Sequence, residues 1–132
     1  MLRKEITCKK GGPIILMDTI TSVSPADAGA IVVSGSHGGA SSAEFALQAP
    51  LKLVFFNDAG GGKDNAGIAA LTLLQDRNIP CATVAHTSCR IGDAADMWEN
   101  GIVSHVNSAA QKAGLYTGMD VRAAVSGQAD LS

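Results

Sequence analysis

Three short polar stretches hold most of the residues able to carry chemistry. They are Ser34-Gly35-Ser36-His37-Gly38-Gly39, Asn57-Asp58-Ala59-Gly60-Gly61-Gly62-Lys63-Asp64 and His86-Thr87-Ser88-Cys89-Arg90-Ile91-Gly92-Asp93. Two of the three histidines, His37 and His86, lie in them. A histidine titrates near neutral pH and serves as acid, base or metal ligand. An aspartate just past a buried strand can act as a base or orient such a histidine. The catalytic candidates are therefore His37, Asp58 and His86. In this reading Asp58 and His86 move protons, and His37 is a second acid/base or electrophilic group. Arg90 offers a planar fork of donors for a carboxylate or phosphate. Gly38, Gly39 and Gly60 let backbone N–H groups approach an anion. Ser36, Asn57, Lys63 and Ser88 complete the ligand-binding candidates.

Each candidate also has a plainer reading. The glycines can make tight turns, His37 and Lys63 can be solvated, and Asp58 can cap the next helix. Cys89 reads as an ordinary part-buried thiol before it reads as a nucleophile. His105, inside an apolar run, reads as a satisfied structural histidine. Function is inferred from the convergence of three loops, not from any one residue.

Known local motifs do not occur here. A phosphate loop needs a glycine five residues before Gly62-Lys63 and a Ser or Thr after them; Asn57 and Asp64 stand there. A dinucleotide fingerprint starting at Gly60 and Gly62 meets Asn65 where its last glycine belongs. No metal is expected; a three-ligand set of His37, Asp58 and His86 is the alternative, and no local His/Glu spacing supports it. No cofactor is assigned.

The loops must be placed by the elements between them. Ala30–Gly35, Leu51–Asn57, Cys81–His86 and Gly101–Val106 are apolar, β-branched runs that suit strands covered on both faces. Residues 13–23 read as a further strand, whose direction the sequence leaves open. Helices are expected over 41–49, 65–77, 93–100, 108–113 and 119–125. The 65–77 helix would align Ile68, Leu71 and Leu74 on one face. Asp93 caps the 93–100 helix and Gly101 follows it. Ser24-Pro25-Ala26-Asp27 makes a helical turn with Ser24 as cap. Strand and helix alternate as βαβ units, so the expected fold is a three-layer α/β/α sandwich. Its sheet is mainly parallel, and its general form flavodoxin-like or Rossmann-like. In such a sheet the three loops share one edge, where ligands bind.

The run Ser34-Gly35-Ser36-His37-Gly38-Gly39, followed by the strand Leu53-Val54-Phe55-Phe56-Asn57, resembles the His-Gly segment and next strand of caspase-like cysteine peptidases. That family places its nucleophilic cysteine at the end of the second strand. Asn57-Asp58-Ala59 stands there in this chain, and Cys89 comes one strand later. The resemblance covers residues 30–90 and does not extend to peptidase chemistry.

Composition narrows the setting. The chain has 132 residues, 46% of them hydrophobic and 17% charged, enough for a core in a single domain over 1–132. Aromatics are only 4%, so Ile, Leu, Val and Ala must fill it. The net charge is −2, and the longest basic runs are the pairs Arg3-Lys4 and Lys9-Lys10. That excludes an electrostatic nucleic-acid surface. Residues 1–12 carry charges throughout and are not expected to be a signal peptide. No apolar run approaches the roughly 20 residues of a membrane span. Three cysteines without CxxC spacing suit reduced thiols, and the cytoplasm is the expected location. The expected function is a small-molecule enzyme using acid/base chemistry of hydrolase, lyase or isomerase type on a small anionic metabolite. The alternatives are a non-catalytic anion-binding or accessory subunit, and a metal-dependent hydrolase. A homo-oligomer is expected in either case.

Overall fold

A computed structural model describes residues 2–6, 8–10, 13–61, 68–128 and 130–131, with backbone alone at 8–10 and 130–131. Its strands are β1 (Arg3–Ile6), β2 (Cys8–Lys10), β3 (Ile14–Met17), β4 (Ile31–His37), β5 (Leu53–Asn57), β6 (Cys81–Val84), β7 (Val103–Val106) and β8 (Asp130–Leu131). Its helices are α1 (Ala40–Ala46), α2 (Ala69–Gln75), α3 (Ala94–Asn100), α4 (Ser108–Lys112) and α5 (Val121–Ser126). No helix among the described residues is long and apolar enough to cross a membrane.

The fold is α/β. Six strands form a mostly parallel sheet in the order β1-β3-β4-β5-β6-β7, and β2 pairs separately with β8. The pairs from β3 to β6 are parallel, while β1 and β7 join their neighbours antiparallel. Side chains alternate between the two faces of a strand. Ile31, Val33, Leu53, Phe55, Ala82 and Val84 therefore pack on one side with Met97 and Trp98 of α3 and Val121 and Val125 of α5. Val32, Val54, Phe56 and Cys81 pack on the other with Ala43 and Ala46 of α1 and Ala70 and Leu74 of α2. Phe55 and Phe56 are fully buried, and each contributes roughly 2–3 kcal/mol.

The strand order explains which helices go where. Crossovers between parallel neighbours are right-handed, so two steps in the same direction put α1 and α2 on one face. The opposite face is covered only after β6, by α3, α4 and α5 around the antiparallel β7. Because the order never reverses, this sheet has no topological switch point to open a crevice.

Most expected elements are present with shorter bounds. Asp93 caps α3 by accepting the Asp96 N–H at 3.0 Å, and Gly101 follows its end. Asn107 and Asp120 cap α4 and α5 in the same way. The first residues of the expected 65–77 helix, 65–67, lie outside the described residues. The strand expected over 13–23 stops at Met17, runs parallel to β4, and gives way to a 3-10 turn at Ile20–Ser22. The Ile20 N–H is taken by the Ser36 hydroxyl at 3.0 Å, which ends the ladder there. Pro25–Asp27 forms the expected turn, with the Ser24 N–H donating to Asp27 at 3.0 Å. The antiparallel edge strand β1 was not expected, because its exposed, charged residues carry no apolar signal. Arg3 anchors it through an ion pair of 2.7 Å to the buried Asp27.

Candidate functional site

The parallel register sets the ends of β4, β5 and β6 level. His37 pairs with Asn57, and Asn57 pairs with Val84, so the three polar loops leave the sheet side by side. Asp58 lies at their centre. It is 6% exposed, and its own N–H donates to the Val84 carbonyl at 2.9 Å. One carboxylate oxygen, Oδ1, accepts the Gly60 N–H at 2.8 Å and the His86 N–H at 3.0 Å, and stands 3.2 Å from His86 Nδ1. Burial pushes this carboxyl up. The Gly60 N–H, the Ser104 hydroxyl and the backbone and ring of His86 outweigh it and hold the group below the usual carboxylate range. Asp58 is therefore ionised at neutral pH.

The backbone around Asp58 is built to deliver these contacts. Ala59, Gly60 and Gly61 all have left-handed φ, of 52°, 74° and 84°. A non-glycine residue such as Ala59 holds that conformation at a cost of roughly 1 kcal/mol. It is held because the Asn57 side-chain oxygen accepts the Ala59 N–H at 2.8 Å and the Asp58 carbonyl accepts the Gly61 N–H at 2.8 Å. At Gly60 the fold favours glycine because of its φ; a Cβ there would make only an ordinary contact, 3.4 Å, with the His86 ring. The imidazole thus lies against bare backbone on one side, half exposed, with Nδ1 on the carboxylate and Nε2 turned away from it.

Of the three catalytic candidates, the fold brings Asp58 and His86 together. His37 is exposed one strand over, with no hydrogen bond to either among the described residues. The described residues contain no group of three or more His, Cys, Asp or Glu side chains able to hold a metal, so His37 does not complete a ligand set with them.

Several ligand-binding candidates are occupied with the protein itself. The Ser36 hydroxyl serves Ile20, as above. Asn57 is fully buried, its Nδ2 donating to Cys89 Sγ at 3.7 Å and its carbonyl accepting the Gly38 N–H at 3.0 Å. Ser88 donates to the Ala85 carbonyl at 2.6 Å and accepts the Ile102 N–H at 3.0 Å, closing the corner between β6 and β7. The Gly38 and Gly60 N–H groups are both spent, so neither is available to an anion. Gly39 is buried as the cap residue of α1. Arg90 is exposed on the same rim, its N–H held by Asp96 at 2.7 Å. Lys63 lies outside the described residues. Cys89 is 8% exposed, and burial pushes its thiol up, with the nearby charges of Asp96 and Asp58 adding to that. A thiol held protonated is a poor nucleophile.

Sequence reasoning passed over Thr83 and Ser104 and read His105 as a satisfied structural histidine. Thr83 Oγ1 lies 3.0 Å from Ser104 Oγ and 3.1 Å from His105 Nδ1. A groove of about 350 Å³ between α2 and α4 sits at the opposite edge of the sheet, where the Asn107 N–H bonds the first residue of β6. Its central polar group, Asn107, is fully engaged by Leu71, Ile79, Cys81 and Ala110. The Asp58–His86 pair lies at the loop edge and not in that groove.

No family model matches the chain, and neither a curated protein nor a solved structure matches it.

Proposed function

We propose that this protein is a small-molecule enzyme in which His86, oriented by Asp58, transfers a proton to or from a small anionic metabolite. The observation that carries this reading is the buried carboxylate 3.2 Å from His86 Nδ1. A carboxylate there keeps the proton on Nδ1 and leaves the Nε2 lone pair for substrate. It also stabilises the imidazolium that forms when Nε2 accepts a proton. Hydrolase, lyase and isomerase chemistry all fit a base of this kind. Arg90 holds the anion, and His37 enters only through a substrate that spans β4 to β6.

In this reading the domain is a three-layer α/β/α sandwich, flavodoxin-like or Rossmann-like in its βα units though not in its strand order. Core clusters on both sheet faces support that assignment. The protein works in the cytoplasm as a homo-oligomer with the rim near a subunit boundary. Ile102, 38% exposed beside the β6 loop, supports such an assembly.

The test is a panel of phosphate- and carboxylate-bearing metabolites, scored for thermal stabilisation and for turnover by proton release. His86→Asn should bind whatever stabilises the wild type and lose turnover by about 10²–10⁴-fold. Turnover within a factor of two of wild type would remove His86 from the chemistry. Arg90→Ala should keep the melting temperature of the ligand-free protein and lose most of the ligand-induced rise. An unchanged rise would remove the anion clamp. Stabilisation of the wild type by a ligand that it never converts would make the protein a binder.

A further inference from the structure

The groove between α2 and α4 meets the outer edge of β7. One end of that edge is closed: Val103 donates to Met119 and accepts from Gly118, and Ile102 bridges to Asp120. In the middle the pairing slips. Thr83 faces His105 and Val84 faces Val103, so Ser104 is an extra residue, a bulge that re-aims its neighbours. Ser104 Oγ and His105 Nδ1 lie 3.1 Å apart there. At Val106 the edge is open. The Asn107 N–H donates to the Cys81 carbonyl at 3.0 Å, so the preceding pair, Val106 with Ala82, is of the kind that exchanges no hydrogen bonds. The Val106 N–H and C=O therefore both point off the sheet, and no described residue bonds either. Val106 also lines the groove.

Leu71 and Val106 are the apolar part of that lining, and Thr72, Asp76, Ser108 and Gln111 are among its polar groups. Asp76 is its only charged residue, and no described cation pairs with it. It caps the C-terminal end of α2, where the helix dipole disfavours a negative charge, so α2 itself gains nothing from it. The walls are fixed in place. Asn107, the cap of α4, donates to the Leu71 carbonyl at 3.2 Å, and Gln75 Oε1 accepts the Ala109 N–H at 2.7 Å. We propose that this groove binds an extended peptide segment carrying a lysine or arginine. One residue of the segment exchanges two main-chain hydrogen bonds with Val106, as a strand does when it adds to a sheet edge. Its side chain lies on the face that Val106 shares with α4, and the next residue turns its basic side chain to the α2 face, towards Asp76. The site is at the other edge of the sheet from the Asp58–His86 pair and does not rest on it.

The test is an NMR titration of ¹⁵N-labelled protein with a blocked alanine peptide holding one central lysine. The Val106 amide proton should move downfield as it gains an acceptor, while the Gly60 and His86 amides stay in place. Asp76→Asn, at an exposed position, should fold as the wild type does and weaken binding roughly two- to five-fold, the range for an exposed ion pair. The same peptide with glutamate in place of lysine should bind the wild type more weakly. An unmoved Val106 amide would overturn the edge pairing. Equal affinity for the lysine and glutamate peptides would overturn the selection for a base. Butylammonium binding as tightly as the lysine peptide, with the Val106 amide still, would overturn the peptide reading and make the groove a site for small organic cations.

Discussion

Alanine at Gly35 should destabilise the domain by about 3 kcal/mol or more, lowering its melting temperature by roughly 10 °C. A Cβ at this position would lie 2.6 Å from the Asp18 carbonyl oxygen, 2.8 Å from the Gly92 carbonyl carbon and 2.9 Å from the Asp93 nitrogen. All three are backbone atoms, so no side chain can swing aside. Nor can the segments part easily. The Gly92 N–H donates to the Gly35 carbonyl at 2.8 Å, and the Asp18 carboxylate accepts the Ala94 N–H at 3.0 Å and the Leu2 N–H at 2.8 Å. Those two donors hold the Asp18 carboxyl below its ordinary range and tie the N-terminal segment, β3 and the start of α3 together. Gly127→Ala is the control, because its nearest neighbour would be 3.6 Å away and its φ is −72°. Thermal unfolding followed by circular dichroism checks both. A Gly35→Ala protein melting within two degrees of wild type would contradict this close packing.

Removing the Asp58 side chain should be nearly as damaging, and the damage should depend on pH. Asp58→Ala leaves the Gly60 and His86 N–H groups without their acceptor in a part-buried setting, at a cost of roughly 1–3 kcal/mol. Asp58→Asn keeps an oxygen for them and should cost less. The folded-state carboxyl lies below its unfolded value of about 3.9, so its contribution is complete above that pH and fades as the pH falls through the folded value. Asp18 and Asp27 are also held low, the former by backbone N–H groups, the latter by Arg3 and Ser24 against the opposing pull of burial. They therefore weaken wild type and variant alike in acid. The gap between the two proteins isolates Asp58. Urea unfolding should show it widest near neutrality and shrinking below about pH 4. A gap that does not vary with pH would mean that the carboxylate charge contributes nothing.

Asp58 and His86 were legible because each follows an apolar run, and parallel strands must bring such ends to one edge. Asp93 and Gly101 marked the ends of α3 for equally local reasons. What the loop residues do there was not legible. Ser36, Asn57 and Ser88 are polar at strand ends, as a ligand contact would be, yet each satisfies a neighbour's backbone or a thiol. Which way a hydroxyl turns depends on segments far away in the chain, such as Ile20 for Ser36 and Ile102 for Ser88. The Ser104 bulge was hidden for a related reason. A one-residue slip between β6 and β7 leaves no mark in the composition of either strand, but it decides that Ser104 and His105 share a face. β1 escaped notice because an edge strand of charged residues looks like a solvated tail.

The single direction in which the sheet is laid down also bears on how the chain assembles. From β3 to β7 every strand lies beside its predecessor, so ladder growth can proceed outward from any adjacent pair by closing only the connection between neighbours. The pairing of β2 with β8 is the exception, joining Cys8 to Leu131 across nearly the whole chain. Among the described pairings it closes the longest loop, so its closure entropy is the largest of them.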